Sequence, residues 1–140
     1  LRDDGGLPGM KILKFGFTDN GKNAYLPHNY VKNCVVYTGT HDNDTTNGWY
    51  EKVDEKSKDY FRRYMNSNGE NPSYDLIRLA VSSCADRAVY TLQDVLGLGS
   101  EARFNTPGKK ADNWQWRFKA EELTEERAES LKYLAKIFGR

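Results

Sequence analysis

The apolar positions of the chain form three short runs that predict β-strands. The runs are Met10 to Phe17, Cys34 to Thr38 and Ala88 to Leu92. Each is rich in β-branched or aromatic residues and is followed by polar or turn-forming residues, which is typical of a buried strand. Asp19-Asn20-Gly21 is the turn that ends the first run.

Apolar residues at helical spacing predict two helices between the second and third strands. Residues 54–67 form a charged surface helix with three aromatic residues at that spacing. Asn71 and Pro72 then supply an N-cap and a proline at the first helical position. The apolar face of this second helix runs to about Asp86 and consists of Leu76, Ile77, Ala80, Val81 and Cys84.

A further helix is predicted at the end of the sequence. Thr124 is its N-cap, and Glu125 and Glu126 lie in its first turn, where the helix dipole favours negative charge. Its apolar face consists of Leu131, Leu134, Ala135 and Phe138. At the other end of the chain, Leu1 to Asp4 resembles the end of a helix.

The order of these elements predicts an α/β fold within a single section that spans residues 1–140. Strands alternate with helices and loops, and such alternation implies parallel strands joined by crossover connections. The carboxyl ends of parallel strands meet at one edge of a sheet. We therefore expect His41, Asp42 and Gln93 to lie at that edge, with Cys34 and Val36 buried behind them.

Composition limits the possible partners. The 21 basic and 20 acidic residues give a net charge of +1, which argues against nucleic acid or an anionic membrane surface as a partner. No apolar run approaches the roughly 20 residues of a membrane span, and no secretory signal is visible, so we expect a cytoplasmic protein. Cys34 and Cys84 lie in apolar runs without metal-ligand spacing, and we expect two reduced, buried thiols.

The strongest functional signal is the polar cluster that follows the second strand. The apolar run stops at Gly39, and His41, Asp42, Asn43 and Asp44 follow directly. Two neighbouring carboxylates are costly to desolvate, so such clusters favour a functional site over a core. No loop of alternating oxygen ligands surrounds the carboxylates, and we expect neither a metal ion nor another cofactor.

Five segments of the chain resemble one enzyme family in sequence and in order. The polar cluster lies within Thr38-Gly39-Thr40-His41-Asp42-Asn43-Asp44-Thr45-Thr46, which is followed by Gly48-Trp49. The other four segments are 6–11, 25–30, 93–99 and 102–108, the last accompanied by Asn113, Trp114, Trp116 and Arg117. By these segments the chain is identified as a member of the 4-α-glucanotransferases, the amylomaltases or disproportionating enzymes of glycoside hydrolase family 77.

The resemblance implies a fold and a reaction. It places the three strands as strands six to eight of a (β/α)₈ barrel, so the chain is expected to be the carboxyl-terminal part of that barrel. The family transfers an α-1,4-glucan segment to glucose or a maltooligosaccharide by a retaining mechanism, which needs two carboxylic residues. The resemblance places both of them upstream of Leu1. It assigns Asp42 the role of the third carboxylate, which stabilises the transition state by binding sugar hydroxyls.

The resemblance also implies substrate contacts for several other residues. His41, Asn43, Asn105 and Trp114 are expected to bind the glucan, with Trp114 either a stacking platform or a core residue. For Asp44, and for Gln93 and Asp94, sugar contact and a role in pinning the loop both remain open. Tyr25 and His28 match a family segment but receive no role.

We therefore expect this chain to contribute part of the active site of a 4-α-glucanotransferase, including Asp42. The expected partners are α-1,4-glucans, maltooligosaccharides and the remainder of the barrel. A chain without the first five strands is expected to be inactive and to self-associate through unpaired strand edges. A non-catalytic carbohydrate-binding module and a purely structural segment are the alternatives.

Overall fold

Three short parallel strands form the centre of the molecule. In the computed structural model, which describes Arg2 and residues 4–140, they are β1 (Gly9–Ile12), β2 (Cys34–Tyr37) and β3 (Arg87–Val89). The strand order is β1-β2-β3 and both pairings are parallel, so the three carboxyl ends share one edge. The predicted parallel sheet is confirmed.

All three strands are shorter than predicted, β2 by a single residue because it ends at Tyr37. The first ends at Ile12 instead of Phe17, because Leu13–Phe15 form a 3₁₀ turn that buries Leu13 and Lys14. The third ends at Val89 instead of Leu92, because Thr91 caps a helix. Its hydroxyl accepts a hydrogen bond from the backbone N–H of Asp94, which satisfies a donor at the helix start.

The described part of the chain contains five α-helices, each with a side-chain cap at its start. They are α1 (Thr46–Lys52), α2 (Glu55–Met65), α3 (Pro72–Ser82), α4 (Leu92–Leu96) and α5 (Glu125–Ile137). The predicted caps of α3 and α5, Asn71 and Thr124, both accept a hydrogen bond from the first turn. The two short helices α1 and α4 were not predicted from the sequence.

The main core lies behind the sheet, against α2 and α3. Cys34 and Val36 of β2 are fully buried, as predicted, and pack with Leu13, Phe17, Phe61 and Leu76. Burying one such large side chain stabilises the fold by about 1.5–3 kcal/mol. The expectation for Cys84 was wrong. It is exposed because α3 ends at Ser82, before the apolar face could continue to it.

Large apolar side chains are exposed at the two outer strands and on α5. Met10 of β1, Val89 of β3, and Tyr133 and Ile137 of α5 are each more than 40% exposed. Among the described residues, β1 and β3 each pair with β2 alone. None of the helices in that part of the chain is long and apolar enough to cross a bilayer. The prediction that Leu1 to Asp4 ends a helix rests partly on Leu1 and Asp3, which lie outside the described residues.

Candidate active site

The loop that follows β2 carries the first candidate residues. Its tight shape comes from Asn43, whose Oδ1 accepts hydrogen bonds from the backbone N–H of Thr40 at 2.8 Å and from the Thr40 hydroxyl at 3.2 Å. The backbone N–H of Asn43 returns a bond to the Thr40 carbonyl. Because this turn closes around residues 40–43, His41 and Asp42 project from its tip. The Asn43 oxygen itself is committed to the loop.

Asp42 is the half-exposed carboxylate of the site. Its side chain is 47% exposed, and Asn105 Nδ2 donates a hydrogen bond to Oδ1 at 2.6 Å. His41 Nε2 lies 3.3 Å from the same oxygen. The main chain is held as well, because Arg103 Nη2 donates to the Asp42 carbonyl at 2.7 Å while its Nε donates to the Asn105 carbonyl. Arg103 thereby joins two loops that are distant in sequence.

Trp114 lies beside His41 at the surface. The ring centroids of the two residues are 5.2 Å apart, and Phe104 meets Trp114 edge-on at 5.0 Å. The backbone N–H of Trp114 donates to the Phe104 carbonyl, which fixes the indole. Trp114 is 50% exposed and is therefore not part of the core of this chain. We call Asp42, His41, Asn105 and Trp114 the rim cluster.

A buried carboxylate lies beneath the rim cluster. Asp94, in the first turn of α4, is only 2% exposed and accepts three hydrogen bonds at 2.8 Å. The donors are the hydroxyls of Thr38 and Thr46 and the backbone N–H of Thr46. We call Asp94, Thr38 and Thr46 the buried knot. The buried knot joins the end of β2 to the starts of α1 and α4. These contacts are the ones expected if Asp94 holds the loop in place.

Asp44 is also committed to the structure. Its Oδ2 accepts hydrogen bonds from Lys52 Nζ at 2.6 Å and from the Ser100 hydroxyl at 2.8 Å, and its Oδ1 from the Thr45 backbone N–H. Burial acts to raise the pKa of Asp44, but the bonds from Lys52 and Ser100 outweigh burial and hold the pKa below its ordinary value. Asp44 therefore joins the loop to α1 and to the segment after α4.

Lys14 is a buried cation beside the loop after β2, and the sequence analysis did not single it out. It is only 6% exposed, and its ammonium group donates to the main-chain carbonyl of Asp44. Burial lowers the pKa of Lys14, although the carboxylates of Asp94 and Asp44 act in the opposite direction. The sequence shows only a lysine within the apolar run from Met10 to Phe17, between Leu13 and Phe15, and does not show its partners.

The remaining candidates hold loops. Gln93 Nε2 donates to the Ala102 carbonyl, and Gln93 lines the same small pocket as His41, so both lie at the sheet edge where they were predicted. Asn113 Oδ1 accepts from the Thr106 backbone N–H. His28 contacts the Tyr64 hydroxyl of α2 at 2.8 Å and the Gly21 carbonyl of its own loop at 2.6 Å. Among the described residues, no three His, Cys, Asp or Glu side chains are grouped to hold a metal ion.

The rim cluster has the chemistry of a hydroxyl-binding site. An exposed carboxylate with free lone pairs accepts hydrogen bonds from hydroxyls, and imidazole and amide groups both donate and accept. A half-exposed indole offers an apolar face to a flat ring. A parallel sheet with such residues beyond its carboxyl edge is an α/β unit with a ligand site at the usual position.

Comparison with known proteins identifies the family. The sequence model of glycoside hydrolase family 77, described as 4-alpha-glucanotransferase, matches residues 1–124. The chain therefore belongs to the 4-α-glucanotransferase family.

Individual relatives agree with this assignment. The chain is 47% identical over 148 residues to the 4-alpha-glucanotransferase of Thermus thermophilus, with 100% of this chain and 30% of that protein covered. It is 46% identical over 140 residues to the enzyme of Clostridium butyricum, with 96% of this chain and 28% of that protein covered. The structure of an amylomaltase from Streptococcus agalactiae in complex with acarbose matches with a TM-score of 0.94 at 37% identity. That match covers 99% of this chain and 28% of the amylomaltase, so the chain spans less than a third of each relative.

Proposed function

We propose that this chain forms the carboxyl-terminal section of the catalytic (β/α)₈ barrel of a 4-α-glucanotransferase. In this proposal residues 1–140 belong to one barrel, and β1, β2 and β3 are its strands six, seven and eight. The observation that carries the proposal is the half-exposed Asp42 carboxylate at the carboxyl edge of a parallel sheet, beside two groups that bind hydroxyls. Barrel enzymes place their reactive groups at this edge.

The reaction follows from the chemistry of the family. The enzyme cuts an α-1,4-glucan and transfers the released segment to glucose or a maltooligosaccharide, with retention at the anomeric carbon. Retention needs a carboxylate nucleophile and a carboxylic acid/base about 5–5.5 Å apart. By the family resemblance, both come from the remainder of the barrel. The acarbose complex of the amylomaltase from Streptococcus agalactiae supports an oligosaccharide ligand.

Asp42 stabilises the transition state in this proposal. As positive charge develops on the sugar ring, hydrogen bonds from the 2- and 3-hydroxyls to a carboxylate become stronger, and such differential binding lowers the barrier. Asn105 and His41 leave one carboxylate oxygen, Oδ2, without a partner in the described contacts. That oxygen and the exposed face of the group are available to a sugar.

The other rim residues orient the glucan. His41 lies against Asp42 and is exposed, so its ring nitrogen can also reach a neighbouring hydroxyl. Asn105 holds the Asp42 carboxylate in place, and Trp114 offers its exposed face to a glucose ring on the acceptor side. Asn43 keeps its Oδ1 in the loop, which leaves its Nδ2 to contact glucan.

The exposed apolar surface fits a covalently continuous partner, the rest of the barrel. In a closed barrel, β1 and β3 would each gain a second neighbouring strand, and the helices at the two ends of this section would gain neighbouring helices beside them. Met10 of β1, Val89 of β3, and Tyr133 and Ile137 of α5 are the exposed apolar side chains that such neighbours could cover. The isolated 140-residue chain is therefore expected to self-associate and to lack transferase activity.

The proposed function is tested with the protein expressed from its own gene. With maltotriose alone, a disproportionating enzyme produces glucose and longer maltooligosaccharides, and sugar chromatography detects both. Turnover by that protein, with none from the isolated chain, is the expected result. Binding of maltooligosaccharide without turnover would instead favour a carbohydrate-binding module. The absence of both binding and turnover would contradict the proposal.

A further inference from the structure

Lys14 is a buried cation directly beneath the loop that carries Asp42. It follows β1, and its ammonium group reaches the loop that follows β2. Gly39 makes this approach possible, because a Cβ atom at that position would lie 2.6 Å from Lys14 Nζ, far inside van der Waals contact. Gly39, just after β2, therefore leaves the space that the Lys14 side chain occupies.

Two cations hold the main chain of the loop on either side of Asn43. Lys14 donates to the carbonyl of Asp44, and Arg103 donates to the carbonyl of Asp42. Lys14 is the more buried of the two, and a buried ammonium group is costly unless charges and hydrogen bonds compensate it. The charged groups that face it are Asp94 of the buried knot, Asp44 and Arg103.

We propose that Lys14 is a positioning residue for glucan transfer, whose buried ammonium group fixes the loop Thr38–Thr45 and thereby the place of the Asp42 carboxylate. The inference rests on the proposed function, because it acts through Asp42. A carboxylate whose bonds to sugar hydroxyls strengthen in the transition state is sensitive to its position, and a misplacement of 1 Å can lower the rate about 100-fold. Removing the charge therefore affects turnover more than substrate affinity.

The test compares three variants of the protein expressed from its own gene. Lys14→Met removes the charge and keeps the length, Lys14→Arg keeps the charge, and Lys11→Met is the control. Lys11 lies on β1, three residues before Lys14, but its ammonium group donates to the Ala24 carbonyl, outside the site. With maltotriose, we expect Lys14→Met to lower kcat by about 10- to 100-fold with KM within about threefold, and Lys11→Met to stay within about twofold.

The pH profile separates positioning from simple packing. Because burial lowers the pKa of Lys14, the wild-type kcat is expected to fall on the alkaline side before an ordinary lysine would lose its proton. A guanidinium group stays charged there, so Lys14→Arg moves this fall to higher pH. Lys14→Met lacks this lysine-dependent fall, since it has no proton to lose at this position, and any alkaline loss that it keeps comes from other groups such as the acid/base of the reaction.

Each outcome decides a different point. An active wild type with a Lys14→Met variant of unchanged kcat would overturn the inference alone. The same alkaline fall in wild type and Lys14→Arg would also overturn it, and this comparison decides the matter if Lys14→Met does not fold. A wild type without activity on maltotriose would overturn the inference together with the proposed function.

Discussion

Asp42 and Asp44 are two residues apart in one loop, yet their surroundings are opposite. The Asp42 side chain is 47% exposed, whereas that of Asp44 is 9% exposed. Asp44 accepts bonds from a lysine, a serine and a backbone N–H, while Asp42 has one amide donor and a neighbouring imidazole. The comparison separates two kinds of carboxylate. The Asp44 carboxylate makes its hydrogen bonds within the loop and its neighbours, whereas the Asp42 carboxylate can still accept hydrogen bonds from a ligand.

The contrast extends to the rim cluster and the buried knot as a whole. In the buried knot, the Asp94 carboxylate accepts three bonds from Thr38 and Thr46 and is closed to solvent. In the rim cluster, Trp114 and Asp42 are about half exposed and His41 is more so. We therefore expect changes in the rim cluster to affect turnover with little effect on stability, and changes in the buried knot to affect stability first.

The largest expected effect is that of Asp42→Asn in the protein expressed from its own gene. The substitution keeps the shape but removes the charge that the proposed transition state needs, so kcat on maltotriose is expected to fall by at least about 1,000-fold. The thermal midpoint should stay close to that of wild type, because the side chain is half exposed. Turnover within about tenfold of wild type, a difference of ~1.4 kcal/mol, would contradict the stabilising role.

Asp94→Asn is expected to have a smaller effect, and to lower stability where Asp42→Asn lowers turnover. Its amide would place a donor where a hydroxyl or backbone N–H now donates, so the free energy of unfolding should fall by about 2–4 kcal/mol. Denaturant titration measures this change. Asp86→Asn is the matched control, because Asp86 is exposed and its 4.0 Å ion pair with Lys32 is at the surface. Equal stability of the two variants would show that the buried knot does not hold the loop.

The pH dependence of stability tests the structural role of Asp44. Its folded pKa lies below the ordinary value of 3.8, so the unfolded state binds the proton more readily. Asp44 therefore contributes stability above about pH 4, and the contribution is lost as pH falls through the folded pKa. Denaturant titrations of wild type and Asp44→Asn should differ near neutral pH and converge in acid. A difference that stays constant across this range would contradict the assignment.

The smallest expected effect is that of Trp114→Ala. Loss of one stacking face should raise KM for maltotriose about three- to tenfold, because ring contacts of this type contribute about 0.5–1.5 kcal/mol beyond buried area. Trp114→Phe keeps an aromatic face and should recover much of the affinity. Steady-state kinetics on both variants measures the change. An unchanged KM in Trp114→Ala would remove this residue from the glucan site.

The sequence predicted the rim cluster better than the structure beneath it. His41 and Asp42 were predictable because a polar cluster directly follows an apolar strand, and the family motif adds Asn105 and Trp114. The helices α1 and α4 were not, because each has fewer than eight residues and depends on tertiary bonds, such as those from Thr46 to Asp94. Thr91 and Leu92 had strand-like composition, but the cap of α4 outweighs that local preference.

Lys14 was missed for a related reason. Its environment combines a 3₁₀ turn, the absence of a side chain at Gly39 and the carbonyl of Asp44, thirty residues away. No local pattern contains that information. The exposure of Cys84 was misjudged because its apolar spacing continued past the end of α3, and the spacing alone does not give the last residue of a helix.

The most direct test of the contrast between the rim cluster and the buried knot is a crystal structure of the protein, expressed from its own gene, with a bound maltooligosaccharide. A sugar ring should lie with its 2- and 3-hydroxyls within about 3 Å of the Asp42 carboxylate, the usual hydrogen-bond distance, and with Asp44 and Asp94 free of sugar contact. A glucan bound against Asp44 or Asp94, or at a site that leaves Asp42 facing solvent, would contradict the division of roles.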